Sequence, residues 1–419
     1  MNSTPAPSRQ TVLAHPDRPG APASGPHGSE GISRRLILLL AVACGAAVAN
    51  LYYVQPLLNL VVRAFGVSDS TAGLLVSVSQ VGYVIGLVVL VPLGDLLERR
   101  RLITRVLLGA AAAAAACAAA PSFVVLAAAL AALGALSVVA MIMVPLAATL
   151  AGPEHQGQVV GTVMSGVLIG ILASRTLSGL IAALGGWRLV FAVAAVAMLG
   201  FAVVLRRGLP VVAPTERLRY APLLRSVLSL IAEQPVLRQR MALGALAFAG
   251  FSVLWTSIAF LLAGAPYHYG AGVIGLFGLA GLGGALIAPL VGRLADRGHD
   301  RLALFIPLVA TLASWGLLAL GGSSLPALIA GIVVLDLGIQ GVHINNQNAV
   351  YQLQPEARSR LTTAYMVSFF IGGVLGSLLS TTVYGAAGWG TTCLLGALIA
   401  LTALAGWMLT QPAHKPTPS

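Results

Sequence analysis

Long apolar runs separated by short polar ones dominate the chain from residue 34 onward. A membrane-crossing helix needs about 20 mostly apolar residues. Runs of that kind fall at 36–62, 71–94, 102–120, 122–150, 158–184 and 188–207, and again at 236–264, 270–292, 302–321, 323–350, 359–385 and 389–410. The pattern predicts an all-α membrane protein of twelve transmembrane helices in two six-helix bundles, residues 34–207 and 236–410. A linker at 208–235, with Pro210, Pro214, Pro222 and Pro235, joins them. Residues 1–33, rich in Pro, Ser and Gly, have no apolar run and predict a disordered cytoplasmic tail, and 411–419 form a second short tail.

The two halves repeat one another. Asp95 and Asp296 each end a helix and are 201 positions apart; Gly170 and Gly372, then Trp187 and Trp389, are 202 apart. Three landmarks in one order at nearly one offset mark an internal duplication. Membrane bundles duplicated in this way hold a substrate between their halves.

Composition agrees with a chain that lies mostly in lipid. It is 58% hydrophobic and 9% charged, against about 25% charged in soluble domains. The net charge of +12 would suggest nucleic acid in a soluble protein; here the position of the arginines explains it better, and no nucleic-acid partner is expected. Arg99, Arg100, Arg101, Arg293, Arg297, Arg301, Arg358 and Arg360 fall in loops on one side, with more in the linker, while the other side has Arg63 and Arg188. This positive-inside bias predicts a multi-pass protein with both termini in the cytoplasm. Cys44, Cys117 and Cys393 lie in apolar runs and offer neither a disulfide framework nor a metal site. No phosphate-binding loop spacing occurs, so no nucleotide or other cofactor is expected.

At this point the residues resemble a known family. Two sets of six spans, a long central loop, the segment from Val91 to Arg100 (VPLGDLLERR) and the segment from Gly292 to Arg301 (GRLADRGHDR) are similar to the major facilitator superfamily. Its signature between the second and third helices is a Gly, an Asp four positions on, then an Arg pair. Asp95, Arg99 and Arg100 match, Val91 and Glu98 depart from the usual glycines, and the second copy keeps Gly292, Asp296 and Arg297. The resemblance covers about residues 34–410. It implies that Asp95, Arg99, Arg100, Asp296, Arg297 and Arg301 form an inner gate that latches one alternating-access state. The helix 1 segment from Asn50 to Leu58 (NLYYVQPLL), and the segment from Asp336 to Gln347, look like a bacterial group near the drug:proton antiporters.

Charge inside a bilayer is costly and tends to be functional. Only Arg175, in the fifth span, and Asp336, in the tenth, lie well inside a span. Gln340, His343 and Gln347 follow Asp336 at i+4, i+7 and i+11, within a stripe of roughly 60° that Asn346 flanks. Such a stripe lines something wet. Asp336 with His343 is the expected proton-coupling pair, unless Asp336 is a structural partner of Arg175. The antiporter signature of the fifth helix, GxxxGPxxGG, is kept at Gly170 and Gly179, but Ser174, Arg175 and Ser178 replace its Gly, Pro and Gly. A charge thus stands where the kinking proline belongs, as an anchor for an anionic or polar substrate or as a partner for Asp336. Its counterpart in the second half is Ser377, so the arginine is not part of the repeat. Asn50, Tyr52, Tyr53 and Gln55 in helix 1, Gln80 in helix 2 and Trp255 in helix 7 complete the expected substrate-binding set, with Arg175, Gln340, Asn346 and Gln347.

The expectation is a secondary active transporter of the bacterial inner membrane, acting as a monomer and exporting a small organic molecule in exchange for protons. Import of a polar solute uses the same helices and is the alternative. A transporter-like sensor that binds ligand without moving it is a further, less favoured alternative, since sensors usually carry a large soluble output domain and the 9 residues from 411 give none. An enzyme would need a nucleophile with a base, or metal ligands, and no such cluster is found.

Overall fold

In a computed structural model the described residues, which are 33–211, 220–281, 300–354 and 357–410, are mostly helical, joined by short turns. The tail calculated from composition, most of the linker's proline segment, and the segment holding Gly292, Asp296 and Arg297 lie outside them. Among the described residues, eight helices are long and apolar enough to cross a membrane.

The first predicted span divides. Helix α1 runs Arg34–Ala49, and a second helix, α2, runs Leu58–Phe65 after a 3-10 turn at Gln55–Leu57. Pro56 has no N–H to donate and its ring clashes with the carbonyl one turn back. The chain answers with short-range bonds, Leu51 to Val48 at 3.1 Å, Tyr52 to Ala49 at 3.0 Å and Gln55 to Tyr52 at 3.2 Å. The break turns Tyr52 and Gln55 toward the middle of the molecule.

Helix α3 (Asp69–Val89) and the short α4 (Leu93–Leu96) lead to α5 (Arg99–Ala118) and α6 (Phe123–Leu136). Then α7 runs Val139–Gly208 as successive helical segments that turn at non-helical corners at Gly152, Gly185 and Gly186. The linker contains a helix that the proline pattern does not predict, α8 (Tyr220–Glu233). The second half follows as α9 (Pro235–Ala263), α10 (Ala271–Leu276) with a 3-10 turn at Phe277–Gly281, α11 (Asp300–Leu320), α12 (Leu325–Leu353) and α13 (Arg358–Leu409), which turns a corner at Gly388.

The internal duplication has a physical content. Gly186 and Gly388, 202 positions apart, both adopt positive φ, 75° and 73°, each one residue before its tryptophan. Residues with a Cβ rarely adopt that conformation, so the corner between the last two helices of each half is written in glycine. Gly170 and Gly372 are the second landmark pair. Gly170 packs on the backbone of Gly45 in α1, and Gly372 on the backbone of Ala245 in α9. Small residues at these positions let two membrane helices approach to backbone contact.

Apolar packing forms one cluster through α1, α3, α5, α6 and α7, which includes Leu40, Leu75, Ile103 and Phe191. A second lies in the later helices, around Leu254, Leu308, Trp315 and Leu335. The outside is apolar as well: Leu184 is 85% exposed, and Val124, Val196 and Leu409 are exposed with it. Side chains of this kind on the exterior fit a surface that faces lipid.

Candidate functional site

The halves meet along a seam, and part of the polar set predicted from sequence, Gln55, Gln80, Arg175, Trp255 and Asp336, collects on it. On one side α3 lies against α13: a Cβ at Gly73 would collide with Thr381, and the rings of Tyr83 and Phe370 stand 4.3 Å apart. Gln80 crosses the seam here, its Nε2 donating to Ser252 Oγ of α9 at 3.4 Å. On the other side the middle segment of α7 lies against α10. A Cβ at Gly179 would stand 2.9 Å from Gly275 Cα, and Thr176 Oγ1 donates to the Gly275 carbonyl at 2.9 Å.

Arg175 sits at the centre of this seam, 1% exposed. Its Nε donates to Gln55 Oε1 at 2.7 Å. Three aromatic faces surround the guanidinium: Trp255 at 3.9 Å from the ring centroid, Tyr52 at 4.9 Å and Phe251 at 5.2 Å. Aromatic faces carry negative potential, and away from water a cation on such a face gains about 2 kcal/mol. Burial of Arg175 is thus offset by ring contacts and one amide. Its Nη2 is buried with no hydrogen-bond partner.

Asp336, 4% exposed, comes from α12 in the other half. Trp255 Nε1 donates to Asp336 Oδ1 at 3.3 Å, so one indole gives its face to the arginine and its edge to the carboxylate. Arg175 and Asp336 interact electrostatically. The turn at 277–281 closes over both: a Cβ at Gly278 would stand 2.9 Å from Arg175 Cβ, and one at Gly281 would stand 2.5 Å from Asp336 Oδ2. A cavity of about 10 Å³, room for roughly one water molecule, lies between Gln55, Pro56, Arg175, Trp255 and Ile274.

The predicted stripe on α12 serves two clusters rather than one. His343 Nδ1 lies 3.0 Å from Tyr365 Oη, and the imidazole stands 4.6 Å from the Phe369 ring. Asn346 Oδ1 accepts from Arg240 Nη1 at 3.3 Å, and Asn345 Oδ1 accepts from the same nitrogen at 2.9 Å. Asp336 and His343 therefore hold separate partners. Gln340 and Gln347 are half-buried beside them. Asn50 is buried, and its Nδ2 faces Met198 Sδ at 3.5 Å; Tyr53 is half-buried.

Near the predicted gate, Arg99 donates to the Gly94 carbonyl at 3.1 Å and to Thr149 Oγ1 at 3.3 Å, while Arg100 reaches the Leu209 carbonyl at 3.4 Å. These bonds brace helix ends within the first half. Arg301 is exposed. The side chain of Asp95, with Asp296 and Arg297, lies outside the described residues.

Three groups at the site escape a reading of sequence alone. Phe251 stands one helical turn before Trp255, so the i, i+4 spacing was an available signal. Arg240 reads as a loop-side topological arginine but turns inward to Asn345 and Asn346. Tyr365 lies in α13 between Thr363 and Ser368, and nothing in that spacing marks it as the partner of His343.

The sequence profile of the Major Facilitator Superfamily matches residues 37–353 and 241–419. The chain belongs to that superfamily. It is 51% identical over 376 residues to the Escherichia coli O157:H7 protein named "Uncharacterized transporter YgaY", covering 90% of this chain and 95% of that one. It is 36% identical over 425 residues to the Streptomyces coelicolor "Probable transporter SCO4007", covering 99% of this chain and 94% of that one. Among solved structures, a bacterial homolog of the human lysosomal transporter Spinster, crystallised in an inward-facing and occupied conformation, aligns with a TM-score of 0.73 over 90% of this chain and 96% of its own. At 14% identity, that likeness concerns the fold alone. The chain is a multi-pass membrane transporter of the superfamily.

Proposed function

We propose that this transporter is proton-coupled and moves a small organic molecule by alternating access, with Asp336 as the proton site. The observation that carries the reading is a buried carboxylate and a buried guanidinium contributed by opposite halves and joined through one tryptophan. Protonation of Asp336 would change the electrostatics of the seam at the point where the halves must part. Ionisable groups kept inside a membrane at such cost tend to mark ion and substrate pathways. Gln55, Tyr52 and Trp255 contact substrate beside Arg175, and Asn50, Tyr53, Gln80, Gln340, Asn346 and Gln347 line the route. His343 supports proton movement on the cytoplasmic side, through Tyr365 rather than directly to Asp336. Arg99, Arg100 and Arg301, with Asp95, Asp296 and Arg297, act at the inner gate. The protein works as a monomer in the bacterial inner membrane with both termini in the cytoplasm, as the distribution of arginines supports.

Efflux is the direction implied by the resemblance to drug:proton antiporters. One observation favours the second direction, uptake of a polar solute: Arg175 replaces the proline of the antiporter signature and sits beside the carboxylate. A fixed cation there favours a substrate of negative charge.

The test compares cells making the wild type with cells making Asp336→Asn, profiling small molecules inside and outside with and without a proton uncoupler. Uncoupler-sensitive movement of a compound in wild-type cells, lost in the variant, is expected. Equal movement by both proteins would make Asp336 structural. The sign of the gradient reports direction.

A further inference from the structure

We propose that the seam binds a compact organic monoanion on Arg175, and that this anion travels together with the proton on Asp336. The inference rests on the proton-coupled reading above and names the substrate class of the same site. The first observation is that Arg175 is buried with Nη2 unpartnered, while its Nε is taken by Gln55. A guanidinium prefers a planar, two-oxygen acceptor, and the one charged neighbour among the described residues, Asp336, is engaged on Oδ1 by Trp255. The second observation is the wall around the guanidinium. Tyr52, Phe251 and Trp255 present ring faces, and Pro56 and Ile274 close the small cavity. An anionic head with an apolar body matches that lining.

Charge accounting then links the anion to the proton. With the site empty, Arg175 and an ionised Asp336 sum to zero. With an anion on Arg175 and a proton on Asp336, the sum is again zero. An anion beside an ionised Asp336 leaves a net negative charge in a membrane-buried seam, which costs heavily. Anion and proton therefore bind cooperatively, and both forms that cross are neutral. Cooperative binding means movement in the same direction, so an inward proton gradient drives uptake. The groups that face Asp336 are Trp255 from α9, Arg175 from α7 and the Gly281 backbone from the turn after α10. His343 on its own helix is engaged by Tyr365.

The experiment uses the full chain in lipid nanodiscs and three probes on one ring: p-toluenesulfonate, which stays anionic throughout, neutral p-toluenesulfonamide, and cationic benzyltrimethylammonium. The expected result is that the sulfonate alone binds, roughly tenfold weaker for each pH unit above the range where Asp336 holds its proton. Asp336→Asn should bind it at about pH 8 as tightly as the wild type does at about pH 5, with the pH dependence gone. Arg175→Gln should lose binding by at least about tenfold, a charge-assisted hydrogen bond being lost. The wild-type pH series needs no variant and decides the matter if either fails to fold. In proteoliposomes loaded with pyranine, an inward sulfonate gradient should acidify the lumen. Absence of sulfonate binding, or binding indifferent to pH, overturns the proposal. Lumen alkalinisation on an inward benzyltrimethylammonium gradient also overturns it, while leaving proton-coupled transport standing as antiport. Sulfonate binding with the expected pH dependence but no proton movement overturns the co-transport and the proton-coupled reading together.

Discussion

Trp255 stands between Arg175 and Asp336, with its face 3.9 Å from the guanidinium and its Nε1 3.3 Å from the carboxylate. The two contacts use different parts of the ring, so substitution separates them. Trp255→Phe keeps a face for Arg175 and removes the N–H. Hydrogen bonds to charged groups are worth about 1.5–3 kcal/mol, so the pH midpoint of transport should shift by at least about one unit with little loss of thermal stability. Trp255→Leu removes both contacts and should also lower the melting temperature. A pH profile of transport beside a melting curve in detergent checks both.

Arg175 and Asp336 should behave as one unit in stability. The two buried charges interact electrostatically without direct contact, and removing one leaves the other uncompensated at a cost of about 3–5 kcal/mol. Arg175→Met and Asp336→Leu are each expected to destabilise by that order. The double variant should cost clearly less than their total, with a coupling above about 1 kcal/mol. A denaturation cycle with all four proteins measures it, and simple additivity would show that the two groups do not depend on each other.

The 3-10 turn after α10 is the part of the seam with least room. Gly281→Ala puts a methyl 2.5 Å from Asp336 Oδ2, and the carboxylate is the group able to give way. Transport should lose its pH dependence while the protein still folds. Gly275→Val is harsher, because its Cβ would stand 2.6 Å from the Arg175 carbonyl and 3.0 Å from Gly179 Cα. That variant should be unable to close this end of the seam. A cysteine placed at Thr176 would then react with a water-soluble maleimide much faster than in the parent, whose three cysteines are all buried.

The corners at Gly186 and Gly388 carry a purely conformational prediction. With ψ of 176° and −165° both glycines lie in the ε region that is essentially closed to other residues, where a side chain costs about 1–3 kcal/mol, and nothing stands within 4 Å of an added Cβ at either position. Gly186→Ala and Gly388→Ala should each lower stability by that amount, with transport per folded molecule unchanged. Thermal unfolding and an uptake assay on the same preparations distinguish this from a steric effect.

Periodicity and composition determine a great deal here. Lipid demands that backbone groups bond internally, so long apolar runs become helices whatever surrounds them. The duplication is legible because both copies need a positive-φ glycine at the same corner and a small residue at the same crossing. Arg175 and Asp336 stand out because charge is rare in an apolar run. Sequence spacing also places Asp336, Gln340, His343 and Gln347 on one face of α12. What that face meets is a tertiary matter. Gln55 and Arg175 are 120 residues apart, and Trp255 and Asp336 are 81 apart. Local pattern carries no information about such pairings, because it fixes which way a side chain points and not what lies opposite. Only the packing of α7 against α10, and of α9 beside α12, decided that Arg175 would be ringed by aromatics, that Asp336 would share an indole with it, and that His343 would turn to Tyr365 instead. The break before Pro56 is a mixed case: the proline dictates it, but the Arg175 side chain gives the buried Gln55 its use.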